Sequence, residues 1–269
     1  MRLCSIASSS SGNCIYVGSD ATHLLVDVGI SGKRTEEGLK ELELSMGDID
    51  GILITHEHAD HIAGLGILSR KYGVPIYATC KTIEAIKAAS NIGEIPDELF
   101  CPVSADEKFI IKDLICSPMR ISHDAAEPVA YRIQHDKKRI GIITDLGNYD
   151  DYTVESLRGM DALLLEANHD VNMLQVGPYP YYLKQRILGD RGHLSNERAG
   201  QLLYRLLHDD MQAVVLGHLS KENNLPELAY ESVRMELTMA AMKEDRGSLS
   251  GLPLYVAERS RVSKVLHIA

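Results

Sequence analysis

The chain has 269 residues, of which 45% are apolar and 25% charged, with a formal charge of −10. That is the balance of an ordinary soluble globular protein, long enough for one large domain or two small ones. The charge argues against a generally basic nucleic-acid coat without excluding a local basic groove. No run approaches the ~20 apolar residues of a membrane span. The five cysteines, Cys4, Cys14, Cys80, Cys101 and Cys116, are scattered and form no C-x-x-C. They point to a reduced compartment and to small buried side chains rather than to a disulfide framework. The start of the chain lacks a long apolar core, so no signal peptide is expected and the cytoplasm is the expected location.

Residues 3–7 read as a first strand and 8–13 as a turn; 15–17 and 23–27 read as the next two strands. Ser31 is a plausible N-cap for a helix over 34–44 with Leu39 and Leu42 inward. Residues 51–55 form a buried strand that runs into Thr55-His56-Glu57-His58-Ala59-Asp60-His61, a loop opening a helix. A strand at 74–78 and a helix at 81–90, with Ile83 and Ile86 inward, follow. From 100 to 144 the pattern is mostly β, in runs 108–111, 114–121, 129–134 and 139–144, with residues 136–138 as a hairpin tip. Residues 162–165 read as a buried strand. A helical segment covers 170–188, broken near Gly177-Pro178, and 195–207 is an amphipathic helix. Residues 213–216 form a strand, 227–242 a helix, and 254–256 and 262–267 closing strands. Residues 244–248 are the best loop candidate but not a domain boundary, so a single domain over 1–269 is expected. Strands followed by alternating helix and strand, twice over, predict an α/β (α+β) chain: two packed sheets with helices outside both, a four-layer sandwich.

The H-x-H-x-D-H run places His56, His58, Asp60 and His61 within six residues at the C-terminal end of a buried strand, where α/β proteins tend to place their chemistry. Three imidazoles and a carboxylate in one place point to a cation that offsets their desolvation. The loop has no cysteine, unlike many closed structural zinc sites, so two catalytic metals are more natural than one. They need further ligands at later strand ends. Three places qualify: His123 after 119–122, Asp145 after 140–144 and His218 after 214–217. Alone, each is ordinary, the histidines as hydrogen-bonding structural residues and the aspartate as a cap or turn former. In this order they are a specific constellation.

On these residues the chain resembles the metallo-β-lactamase-fold hydrolases over essentially its whole length. Asp27 after Leu24-Leu25-Val26 matches the first motif, His56 to His61 the second, His123 the third, Asp145 the fourth and His218 the fifth. The resemblance implies an αββα fold. It also implies one metal held by His56, His58 and His123, a second by Asp60, His61 and His218, and Asp145 bridging. Asp27 then orients a ligand imidazole, or is a turn residue before Gly29. More narrowly, residues 8–13, 164–170, 192–196 and 216–220 resemble the YycJ/WalJ (VicX) family of bacterial proteins, described as metal-dependent 5′→3′ exonucleases. The segments at 192–193 and 217–218 also resemble the tRNA 3′-processing endonucleases, in which a Glu pairs with a catalytic His. Glu166 and His193 occupy the matching places.

The implied activity is a two-metal phosphodiesterase acting on nucleic acid, DNA first. A hydroxide between the metals attacks phosphorus, with Asp60 among the catalytic groups. His193 serves as general acid for the departing sugar oxygen, favoured in its protonated form and oriented by Glu166; otherwise His193 only caps the helix near Ser195. Imidazole with carboxylate and no thiolate suits Zn²⁺, Mn²⁺ or Fe²⁺. By resemblance, His58, where an iron-reducing relative carries a carboxylate, favours hydrolysis over redox chemistry. Ser10 and Asn13 are candidate phosphate contacts in a Ser-Gly turn, or parts of a plain hairpin. Lys184, Arg186, Arg191 and Lys221 form a possible phosphate track, or a solvated face. Tyr179, Tyr181 and Tyr182 are candidates to stack on bases, or pack on the sheet. His169 is a further candidate substrate contact. Two rivals stand beside this reading: a small-molecule hydrolase acting on a cyclic phosphodiester, thioester, lactone or β-lactam, and a low-turnover regulatory protein. The oligomeric state is not legible.

Overall fold

The computed structural model describes residues 1–243 and 251–269; the loop expected at 244–248 lies outside them. The strands are β1 (Arg2–Ala7), β2 (Cys14–Gly18), β3 (His23–Val26), β4 (Gly51–Leu53), β5 (Ile76–Thr79), β6 (Phe100–Val103), β7 (Phe109–Ile111), β8 (Leu114–Arg120), β9 (Val129–His135), β10 (Lys138–Ile143), β11 (Ala162–Glu166), β12 (Ala213–Gly217), β13 (Leu254–Val256) and β14 (Leu266–His267). The helices are α1 (Gly32–Glu41), α2 (Ala59–Ile62), α3 (Leu65–Tyr72), α4 (Cys80–Ala88), α5 (Asp151–Leu157), α6 (Val171–Val176), α7 (Tyr181–Leu188), α8 (Asn196–Leu206) and α9 (Pro226–Lys243). The architecture is α/β, with mixed sheets and helices. The chain divides into two compact units, one of residues 1–120, 125–138 and 258–269, the other of residues 121–124 and 139–257.

The first unit holds a seven-stranded sheet in the order β14-β1-β2-β3-β4-β5-β6. It is antiparallel up to β3 and parallel from β3 to β6. Leu24, Leu25 and Val26 are wholly buried, as are Ile52 and Leu53. That is why β3 and β4 read as unbroken apolar runs: both faces of the sheet are covered. Each such side chain contributes about 2 kcal/mol through burial. The antiparallel ladder β7-β8-β9 belongs to the same unit. Tyr131 of β9 is fully buried, and its hydroxyl donates to the carbonyl of Ile54 at 3.0 Å. Tyr77 of β5 stacks on Phe109 of β7, with ring centroids 5.2 Å apart. The two sets of strands thus pack face to face.

The second unit is a parallel ladder β10-β11-β12-β13 with α5 to α9. Ala199, Leu202, Leu203 and Leu206 form the buried stripe of α8, spaced at the helical period. Ser195 caps that helix by accepting a hydrogen bond from the Arg198 amide.

Three expectations shift. The first helix starts at Gly32, capped by Ser31, and stops at Glu41 rather than 44, because Glu43 turns left-handed (φ 59°) and the Leu44 amide folds back onto the Leu39 carbonyl. The closing strand shrinks to Leu266–His267; Ser263 reaches Ser5 through a backbone bond that does not extend into a ladder. Helix α5 was not foreseen. Seven residues carry too little periodicity, and its signal is the capping box of Asp150 and Thr153. The predicted break at Gly177-Pro178 separates α6 from α7.

No helix among the described residues is long and apolar enough to cross a membrane. All five cysteines are free. Burial pushes the Cys4 and Cys116 thiols up to about 12, as expected of inert, structural positions.

Candidate metal centre

In the first unit the parallel pairing of β3 with β4 puts two strand ends side by side. Asp27 follows β3 in the left-handed region (φ 60°), a conformation that costs a non-glycine residue free energy. The turn aims its carboxylate at the histidine loop. Oδ1 accepts from the Thr55 amide at 2.9 Å and Oδ2 from the Thr55 hydroxyl at 2.8 Å. Oδ2 also lies 2.7 Å from Nδ1 of His61. That contact puts the proton of a neutral His61 on Nδ1 and leaves Nε2 as the ring's acceptor atom. Asp27 is thus both a left-handed turn residue and a carboxylate in contact with the His61 ring. His56 and His61 are wholly buried, with ring centroids 4.1 Å apart, and His58 stands edge-on to His56 at 4.6 Å. Asp60 lies on the first turn of α2, its Oδ2 3.5 Å from His61 Nε2. Glu57 points elsewhere and accepts the Ala126 amide at 2.8 Å.

Two neighbours hold this loop from the other side. Asn13 is fully buried, and its amide and backbone nitrogens both reach the Asp60 carbonyl, at 3.3 and 2.9 Å. Expected as a phosphate contact, Asn13 is instead a brace for the ligand loop, because its side-chain nitrogen also approaches His61 Nε2 at 3.2 Å. Ser10 stays exposed at the tip of the same turn. Gly29 leaves no room for a side chain: a Cβ there would stand 1.6 Å from the Asp60 carbonyl oxygen. Gly29→Ala is expected to displace Asp60, destabilising the fold by at least about 2 kcal/mol through overpacking. Urea unfolding and metal retention on gel filtration both read the effect.

In the second unit β10, β11 and β12 are adjacent and parallel, so their C-terminal ends form one rim. Asp145 and His218 lie at that rim in left-handed geometry, with φ 57° and 56°. Glu166 ends β11 and is wholly buried. One potential ligand atom from each of Asp145, Glu166, His193 and His218 lies within 4.8 Å of the others. His218 Nε2 is 3.2 Å and His123 Nε2 3.6 Å from Asp145 Oδ1. His193 Nδ1 contacts Glu166 Oε1 at 2.8 Å, while the other Glu166 oxygen accepts the amides of Leu146 and Leu194. The Glu166–His193 pair therefore exists as expected, and Glu166 is fixed by three contacts. Asn168, not singled out as a site residue, donates to the His218 carbonyl at 2.9 Å and braces that turn. Buried imidazole and carboxylate without thiolate is a donor set that fits a divalent cation of the zinc or manganese type.

The basic residues before His193, expected as a phosphate track, each make a contact within the second unit. The Arg191 guanidinium donates twice to the His123 carbonyl, at 3.2 and 3.1 Å. Arg186 forks onto Asp124, the next residue, at 2.5 and 3.1 Å. The Ser122 hydroxyl donates to the Asp190 carbonyl at 2.7 Å, and the Gly192 carbonyl lies 3.2 Å from His123 Nδ1. Arg191, expected as a substrate contact, positions the loop that carries His123. Lys184 donates to the Gln175 carbonyl, and Lys221 is exposed after the β12 turn.

His169, expected as a substrate contact, is 1% exposed, and neither ring nitrogen has a hydrogen-bond partner. Burial, and then the charge of His193, push its pKa down to about 4. An unfolded histidine protonates near 6.5, so the unfolded chain takes up a proton that the folded one refuses. Stability is therefore lost as pH falls from about 6.5 to about 4. His169→Gln is expected to remove up to roughly 3 kcal/mol of that acid-side loss, seen in urea unfolding at pH 7, 5 and 4.

A family model described as a beta-lactamase superfamily domain matches residues 22–218. Exodeoxyribonuclease YycJ of Bacillus anthracis is 43% identical over 232 residues, covering 86% of this chain and 87% of that protein. Exodeoxyribonuclease WalJ of Streptococcus pneumoniae is 41% identical over 235 residues, covering 87% of each. The crystal structure of the metallo-beta-lactamase fold protein YhfI from Bacillus subtilis superimposes with a TM-score of 0.69 at 17% identity, covering 97% of this chain and 98% of that one.

Proposed function

The chain belongs to the beta-lactamase superfamily, within it to the family of the YycJ and WalJ exodeoxyribonucleases, and we propose that it is a metal-dependent nuclease that shortens DNA from the 5′ end. The observation that carries this reading is the Glu166–His193 pair, 2.8 Å apart at the strand rim that also presents Asp145 and His218. A phosphodiester needs a proton for its departing sugar oxygen, and an imidazole held by a buried carboxylate supplies one near neutral pH.

The proposed ligands are His56, His58, Asp60, His61, His123, Asp145 and His218, for two divalent ions, Zn²⁺ or Mn²⁺. When bound, such ions supply Lewis acidity to a water molecule and to the phosphoryl oxygens. The chain's own residues do the rest. Asp27 and Thr55 fix the tautomer of His61, Arg191 holds the His123 loop, and Asn168 holds the turn at His218. Glu166 orients His193 for proton delivery.

End-labelled DNA and RNA of one sequence, incubated with the protein and Mn²⁺ or Zn²⁺, test the reading. Stepwise loss of nucleotides from the 5′ end of DNA is the expected result. Metal-replete protein that leaves both polymers intact overturns it.

A further inference from the structure

Thr55, at the entrance to the histidine loop, is 1% exposed. Its backbone is tied on both sides. The amide donates to Asp27 Oδ1 at 2.9 Å, and the carbonyl accepts from the Val129 amide at 3.0 Å. The side chain is thereby held in place, with Oγ1 2.8 Å from Asp27 Oδ2, 3.0 Å from His56 Nδ1 and 3.2 Å from His61 Nδ1. One hydroxyl thus stands among a carboxylate and two imidazoles, away from bulk water.

The protons in this group can be assigned from what each atom is able to do. A hydroxyl has a single proton to give and two lone pairs that accept. A carboxylate oxygen only accepts, so the Thr55 proton goes to Asp27 Oδ2, the shortest of the three contacts and the charged one. With that proton committed, Oγ1 acts toward the imidazoles as an acceptor. His61 Nδ1 has a nearer acceptor in Asp27 Oδ2, at 2.7 Å. His56 Nδ1 therefore donates to Thr55 Oγ1, and Nε2 becomes the acceptor atom of that ring. An imidazole in water carries its proton more often on Nε2; in a folded protein the hydrogen bond made by the other nitrogen decides.

We infer that Thr55 is a positioning residue for His56: its hydroxyl, oriented by Asp27, holds the ring in the tautomer that presents Nε2 to a cation. One aspartate then sets two imidazoles, His61 by direct contact and His56 through the hydroxyl. The inference rests on the reading of His56 and His61 as metal ligands and deepens it. Ligand histidines commonly give their second N–H to a carboxylate, a carbonyl or water; at His56 a threonine side chain takes that place. A space-filling role would be served equally well by valine, which has the same branching and no hydroxyl.

The test is nitrogen-15 NMR of the histidine rings in metal-free protein, at a mildly alkaline pH where free imidazoles are neutral. The signals of His56 and His61 are assigned by their loss in H56Q and H61Q. The parent protein is expected to carry the proton on Nδ1 in both rings. T55V is expected to move the His56 proton to Nε2 while His61, still bonded to Asp27, keeps its own on Nδ1; T55S is expected to restore His56. Zn²⁺ affinity, read by competition with a chelator, is expected to fall about 10–100-fold in T55V and to return to within about threefold of the parent in T55S. Three results overturn the inference: a parent His56 protonated on Nε2, a His56 tautomer that T55V leaves unchanged, or a Zn²⁺ affinity that T55S lowers as much as T55V does. The first needs no variant, so the test stands even where T55V fails to fold. The ligand reading is judged separately, by Zn²⁺ uptake of the parent. The expected tautomers in a parent that takes up no Zn²⁺ would keep the hold of Thr55 on His56 and sink the ligand reading.

Discussion

Alanine at Asp60 or at His61 is expected to lower phosphodiester hydrolysis by at least about 10³-fold, with loss of bound metal and an otherwise intact fold. The size follows from what a bound divalent ion contributes, several kcal/mol of charge stabilisation, where ~4 kcal/mol is ~10³ in rate. The direction follows from the local geometry. His61 is wholly buried, and its Nδ1 is held by Asp27 at 2.7 Å, so only Nε2 remains for a metal. Asp60 sits beside that nitrogen and is itself only partly buried, so its removal leaves no large cavity. Metal content by atomic emission, turnover of bis-nitrophenyl phosphate and a thermal melt measure the three quantities. An alanine variant that keeps full metal and full turnover would remove these residues from the ligand set.

His193→Ala is expected to keep its metal and lose ~10²–10⁴ in rate on DNA, the usual contribution of a general acid. A leaving-group comparison sharpens the assignment. A nitrophenolate departs without a proton, whereas a sugar alkoxide does not. The loss should therefore be much smaller on bis-nitrophenyl phosphate than on DNA. Glu166→Gln should show the same pattern more weakly, because Gln can still orient the ring but brings no charge. The Leu146 and Leu194 amides also bond Glu166, so a melt must accompany the rate. If His193→Ala loses metal, or loses equally on both substrates, the residue is a ligand or a structural support.

The elements were legible where hydrophobic periodicity is strong. β3, β4, β11 and β12 are short apolar runs because they are covered on both faces, and α8 carries a clear 3.6-residue stripe. Periodicity faded in α5, seven residues long, and in β14, two residues long. Within the candidate site, residue type pointed to metal chemistry but not to the supporting contacts. Arg191 and Asn13 carry groups that bind phosphate, and nothing local tells a guanidinium that will meet a ligand from one that will clamp a carbonyl 68 residues away. His169 likewise has the chemistry of a contact residue and the burial of a core one.

By itself, the amino-acid order determined which atoms are available: imidazoles and carboxylates at the ends of apolar strands, in a pattern shared across a superfamily. Composition and spacing encode this because strand ends and ligand types are local properties. Only the folded chain decided the pairings, Asp27 with His61, Glu166 with His193 and Arg191 with the His123 carbonyl, each spanning 27 to 68 residues. It also decided the left-handed turns at Asp27, Asp145 and His218. Such conformations are unfavourable for these residues in isolation, and persist because surrounding packing and hydrogen bonds outweigh a local cost of about 1–3 kcal/mol.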